Sequence, residues 1–361
     1  MDKGFKVLSA SVKSRDNNLD FIRFIAALAV IFSHSFSICL GPNSHTPLSG
    51  LTDDRLSEGG LAVGVFFFIG GLLIAKSCES HPHAGRFFQL RLLRIMPQLV
   101  FVVLVLALIA GPILTTLSLS DYFANEQTYR YLLNGVFVLQ HDLPGVFEAN
   151  PYGPVVNAPL WTLPVEFACY ILCFLCFRWT RFTRRSFAIA SLPVAGLAIV
   201  YFAFFDYYQL SVVRAILLFY LGVACYVYRD DIRITPLLGW LSLALFAILV
   251  AVGLDVLAML LAFPYALLWL GYGLKPRMAN FARRGEYSYG IYLWGWPIQQ
   301  VLVMLLPASM AVPWINALLA SILAIGGGLL NYRLIDLNVS RVLSRLKGRR
   351  DRELAKEVAE P

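Results

Sequence analysis

The sequence predicts an all-α polytopic membrane protein, and three observations carry that prediction. Of its 361 residues 58% are hydrophobic, and the mean hydropathy is +0.68. Only 14% are charged, where an ordinary soluble domain has about 25%. The apolar residues are also gathered into runs close to the ~20 residues that a helix needs to cross a bilayer.

About ten such runs can be drawn: 19–40, 61–78, 98–118, 160–178, 187–205, 210–228, 236–252, 254–272, 287–306 and 312–333. The first follows a polar, basic tail and is too long for the core of a cleaved signal, so it reads as an uncleaved span. The seventh and eighth are divided only at Ala251–Gly253, the least distinct break. Leu119–Pro159 is a polar loop rich in Pro, Gly and Asn. Within it Tyr131–Gln140 is apolar but too short to cross, which fits a re-entrant or interfacial piece. The expected organisation is a tail (1–18), a membrane domain (19–338) and a basic tail (339–361), with no soluble domain.

Lys and Arg orient the spans. With both termini cytoplasmic, only Arg55 and Arg130 fall in outer loops and only Arg23 and Arg214 within spans; every other Lys and Arg lies on the inner side. The net charge of +8 then serves topology and attraction to anionic membrane lipids, and no nucleic-acid partner is expected. The six cysteines lie in or beside apolar segments, with no disulfide framework and no Cys/His grouping that would hold a metal. Cys169, Cys173 and Cys176 share a helix face, as small apolar packing residues do.

Ionisable groups inside spans are costly and normally face a bundle interior or a wet cavity. Away from span ends there are four: Arg23, His34, Glu166 and Arg214. Arg23 and His34 are eleven residues apart, hence on nearly one helix face and about 16 Å apart along the axis. His34 and Glu166 each fall about 9 Å from the outer end of their spans. That shared depth predicts a His–carboxylate pair, in which Glu166 orients His34 as a general base. Arg214, about 6 Å from the outer end, is a candidate for oxyanion or acceptor contact. In Arg86–Pro97, Arg91 and Arg94 are helix neighbours among Phe87, Phe88, Leu90, Leu92 and Leu93, which predicts an interfacial amphipathic helix on the cytoplasmic side. Positive-inside charge with anionic lipid is the simpler reading of that pair. A phosphate site for a cytosolic ligand is the sharper one.

Five stretches, in order, resemble the integral-membrane acyltransferase family 3. LDFIRFIAALAVIFSH, with Arg23 and His34, is similar to its Arg-x10-His signature, and VGVFFFIGGLLIAKS (63–77) to its second-span motif. RLLRIMP (91–97) is similar to its Arg-x-x-Arg motif, APLWTLPVEFACY (158–170) to a Leu-Trp-Ser-Leu…Glu motif ending in Glu166, and EYSYGIYLWGWPIQQ (286–300) to a late Ser-Tyr-Gly-Ile-Tyr-Leu span. The resemblance covers Leu19 to about Asn338. It implies an O-acyltransferase that uses cytoplasmic acyl-CoA, most often acetyl-CoA, as co-substrate, with no bound cofactor and no metal. It implies His34 and Glu166 as catalytic residues and Arg23, Arg91 and Arg94 as acyl-CoA contacts; Tyr289 and Tyr292 are candidates for lining the donor path, with aromatic packing as the simpler reading. The acceptor class it implies is a hydroxyl of a cell-surface glycan, such as a lipid-linked O-antigen or an exopolysaccharide, and the location a bacterial cytoplasmic (inner) membrane. Three positions depart from the family pattern: Gly70 stands where Ser is frequent, Gly295 where His is, and Asp336 where a Glu-Pro pair is. The rival class is a proton-coupled secondary transporter or flippase for a glycan precursor, which an intramembrane Arg, His and Glu would also suit.

Overall fold

A computed structural model describes residues 6–14, 16–204, 210–276, 278, 281, 285, 287–339 and 341. The basic residues expected on the inner side at Lys3, Arg15, Arg277, Arg283, Arg284 and from Arg345 to Lys356 lie outside the described residues, as does most of the tail from 339 on.

The main helices are α1 (Leu19–Leu40), α2 (Glu58–Ser80), α3 (Ala84–Leu114), α4 (Ala158–Thr180), α5 (Arg184–Phe204), α6 (Leu210–Val227), α7 (Pro236–Ala251), α8 (Asp255–Gly273), α9 (Ser288–Leu305) and α10 (Pro313–Asn331). Among the described residues six helices are long and apolar enough to cross a membrane: α1, α2, α3, α4, α8, and α10 with its extension to Val339. The chain is a helical, multi-pass membrane protein. Its only paired strands among the described residues are two residues each, Lys6–Val7 antiparallel to Arg233–Ile234. That pairing, with Lys76 Nζ donating to Val12 O at 2.7 Å, brings the N-terminal segment to the end of the bundle where α2 and α6 finish.

Helices pack closely in lipid where small residues let backbones approach. The α2–α6 crossing is such a place: a Cβ on Gly71 would lie 1.9 Å from Phe219 O, and one on Gly222 would lie 2.1 Å from Phe68 O. Gly222→Val is therefore expected to prevent the bundle from closing. The measurement is the monodisperse fraction of detergent-solubilised protein, and a normal yield and elution profile would refute the assignment.

The break between α7 and α8 stands where the sequence placed it. Gly253 turns the chain with φ of +80°, and a Cβ there would lie 2.5 Å from Arg55 Nη1. The same guanidinium pairs with buried Asp255 at 3.0 Å, tying the loop before α2 to the start of α8.

One expectation is corrected. Residues 86–97 do not form a separate interfacial helix. The helix runs on through Pro97 into the span, so Arg91 and Arg94 sit on the first turns of α3 itself. Apolar residues interleaved with arginines look alike on a headgroup-facing helix and on a span that lines an internal cavity, because local periodicity does not show what covers the polar face. The loop 119–159 folds back on α3 and α9 and contributes to the core: Tyr122 and Tyr131 are fully buried beside Leu99, Val102, Val103 and Leu293. A π-helical turn at Leu106–Ala110 shifts the hydrogen-bond register of α3. Tyr122 Oη donates to Ala107 O in that turn at 2.8 Å.

Candidate active site

Two cavities meet in the bundle. The first, ≈ 100 Å³, is lined by Arg23 of α1, Arg91 and Arg94 of α3, Glu166 and Tyr170 of α4, and Tyr289 of α9, among others. The second, ≈ 240 Å³, is lined by His34, Ser57, Trp161 and Arg214, with Ser33 and Gly60. The eleven-residue spacing on α1 thus places one polar residue in each.

In the arginine cavity the Arg23 guanidinium stands 5.9 Å from the centre of the Phe66 ring, within cation–π range. Arg94 is solvent-accessible, and Arg91 is half-buried with its Nε enclosed and without a hydrogen-bond partner. A buried donor left unpaired costs about 1–3 kcal/mol, so this nitrogen is suited to an acceptor that enters the cavity. Glu166 is the carboxylate among these guanidiniums, and the Tyr170 hydroxyl one turn along α4 donates to it. Beneath Arg94 a chain of amides locks three helices. Trp294 Nε1 donates to Asn331 Oδ1 (3.1 Å), Asn331 Nδ2 to Gln98 Oε1 (3.3 Å), and Gln98 Nε2 to Asp336 Oδ1 (2.7 Å). Asp336 ends a π-helical turn, Tyr332–Asp336, that continues α10.

In the histidine cavity the imidazole packs edge-on against Trp296, with centroids 4.9 Å apart at 76°. Trp296 is itself pinned by Nε1 donating to Val155 O at 2.9 Å, and Tyr152 also packs edge-to-face with it, centroids 4.7 Å apart. Gly60 leaves room for Arg214, since a Cβ there would lie 3.0 Å from Arg214 Nη2. Gly295, where the family frequently has His, faces α1 so closely that a Cβ would lie 2.8 Å from Ile31 Cγ1. In this chain that position is a packing contact.

The expected His34–Glu166 pair is not formed. Glu166 belongs to the arginine cavity and His34 to the other, and an aromatic contact rather than a carboxylate flanks the imidazole. Equal depth fixed one coordinate only; the rotation of each helix about its axis decided the rest. Ser33 lines the histidine cavity beside His34, whereas Ser35 turns aside and donates to Phe32 O at 2.7 Å. Arg23, Arg91, Arg94, Tyr289 and Tyr292 do converge on one cavity, and Arg214 shares the other with His34. Sequence reasoning did not single out Thr162, Tyr170 or Trp296. Thr162 and Tyr170 lay within the quoted α4 motif, but a hydroxyl in an apolar run reads as helix packing until a partner helix is in place.

Known proteins similar to this chain are acyltransferases or members of that family by sequence. A curated protein named O-acetyl transferase, from Shigella phage Sf6, is 26% identical over 306 residues, covering 80% of this chain and 86% of that protein. Nodulation protein 10 of Rhizobium leguminosarum bv. viciae is 28% identical over 327 residues, covering 83% and 85%. No solved structure matches. A family model described as an acyltransferase domain matches residues 16–333, nearly the whole span of helices that build both cavities, and the chain belongs to that family of membrane acyltransferases.

Proposed function

We propose that this acyltransferase moves an acetyl group from cytoplasmic acetyl-CoA to a hydroxyl of a cell-surface glycan, such as a lipid-linked O-antigen or an exopolysaccharide unit, in a bacterial inner membrane. The observation that carries the reading is the adjacency of a cavity with three guanidiniums to a cavity with an imidazole. The name of the phage relative supports acetyl as the group and oxygen as the acceptor atom. The Lys/Arg bias supports about ten spans with both termini cytoplasmic, which puts the Arg91–Arg94 end of α3 at the cytosolic face.

Guanidiniums match phosphate oxygens in geometry and stay charged at any working pH. Arg91 and Arg94 would hold the phosphates of CoA, with Arg23 next along the path, and the thioester would reach the boundary with the histidine cavity. His34 would accept the proton of the acceptor hydroxyl as its oxygen attacks the thioester carbon. Arg214 would stabilise the oxyanion or hold the acceptor. The C–S bond then breaks, an ester C–O bond remains, and the proton on the imidazole passes to the CoA thiolate. Transfer is direct, with no acyl-enzyme. Glu166 takes a different part from the one its depth implied: among the guanidiniums it fixes the arginine cluster.

The test is transfer of labelled acetyl from acetyl-CoA to surface glycan in membranes holding this chain. Absence of label with every glycan fraction of the host would refute the reading. Glu166→Gln is expected to raise KM for acetyl-CoA about tenfold with kcat little changed, which corresponds to about 1.4 kcal/mol of ground-state binding. A fall confined to kcat with an altered pH profile would restore Glu166 to the side of His34.

A further inference from the structure

The two cavities share three lining residues, one from each of three helices: Val63 of α2, Thr162 of α4 and Tyr292 of α9. They form the wall between the arginines and the imidazole. Two of the three are fixed by polar bonds. Tyr292 Oη donates to Pro159 O at 2.8 Å and lies 2.7 Å from Thr162 Oγ1, which itself reaches Pro159 O at 3.1 Å. The Tyr292 ring also packs edge-on against Phe66, 6.0 Å away. Thr162 and Tyr292 are both buried. Val63 is different: it is half-buried, its side chain has no polar group to tie it, and it borders both spaces.

We infer that Val63 is the residue that sets the length of the acyl group transferred. The inference rests on the acyl-CoA reading above. A thioester held from the arginine side and attacked from the imidazole side has its carbonyl carbon at this wall. Whatever follows the carbonyl in the acyl chain must fit against the wall's one apolar, untied side chain, and acetyl asks for a single methyl. Apolar pockets discriminate by one methylene about 10- to 200-fold, so the wild-type chain prefers acetyl over propionyl to that extent. Thr162 and Tyr292 cannot yield the space cheaply, because moving either leaves a buried hydroxyl or the Pro159 carbonyl short of a partner.

The experiment compares acetyl-, propionyl- and butyryl-CoA as donors in membranes carrying wild type, Val63→Ala or Val63→Phe, with binding of desulfo-CoA to the purified protein as a second readout. Val63→Ala should narrow the acetyl-to-propionyl ratio in kcat/KM by about tenfold. Val63→Phe should lose acetyl transfer by about a hundredfold while binding desulfo-CoA as wild type does. An unchanged ratio in Val63→Ala overturns the inference, as does wild-type transfer by Val63→Phe. Should the larger side chain prevent folding, the alanine ratio decides alone. A wild-type chain that transfers from none of the three donors would instead remove the acyl-CoA reading, a result distinct from a shift that fails to appear.

Discussion

Replacing His34 by Ala lowers acyl transfer by about 10²–10⁴-fold, the worth of a positioned general base, and leaves CoA binding unchanged. The two halves of this expectation come from the same geometry. The imidazole lines the cavity of Ser57, Trp161 and Arg214, away from the three guanidiniums that would hold the donor. Its orientation comes from the face of Trp296, which is held in turn by Val155 O. Trp296→Phe keeps the ring contact but loses the N–H, so it should cost far less than loss of the imidazole. Transfer rates in membranes, normalised to protein level, measure both variants. Near-normal transfer by His34→Ala would sink the assignment, and loss of CoA binding together with activity would mean that the two cavities do not divide the work.

Arg91→Ala and Arg94→Ala each raise the apparent KM for acetyl-CoA by about ten- to a hundredfold, since a hydrogen bond to a charged group is worth about 1.5–3 kcal/mol. Arg91 should sit at the upper end, because its Nε is already enclosed and without a partner. The competing reading is that these charges serve only topology, and lysine separates the two. Arg91→Lys preserves the positive-inside signal but cannot offer two parallel donors to a phosphate. Poor donor binding with normal membrane insertion in the Lys variant supports the phosphate site. Full activity in the Lys variant, with loss of protein from the membrane in the Ala variant, supports topology alone. The double alanine variant should cost less than the sum of the two, because both guanidiniums serve one ligand.

What could be read in advance depended on whether one helix sufficed. Arg23 and His34 lie on a single helix, so their spacing alone placed them on one face at different depths, and each lines its own cavity. Hydropathy gave the bounds of α1, Leu19–Leu40, as drawn, but not those of α3, which begins at Ala84 and not near residue 98. The expected contact between Glu166 and His34 was not legible, because it depends on the rotation of α4 relative to α1, on which hydropathy is silent. Arg91 and Arg94 were half legible: their mutual spacing was right, but their place on a spanning helix needed the fact that α3 continues through Pro97. The wall residues were least legible, since Val63 is one valine in an apolar motif and acquires meaning only from what stands on each side of it.

The wall has a second consequence, for the cell rather than for the acyl group. An enzyme that takes its donor from one side of a membrane and its acceptor from the other is a potential leak, because polar cavities reaching toward opposite faces would short-circuit the proton gradient if they joined. Val63, Thr162 and Tyr292 keep these two apart, with the hydroxyls of Thr162 and Tyr292 committed to each other and to Pro159 O. On the proposed function the protein would thus resemble an airlock more than a channel, with a group of a few atoms handed across the wall that these three residues form.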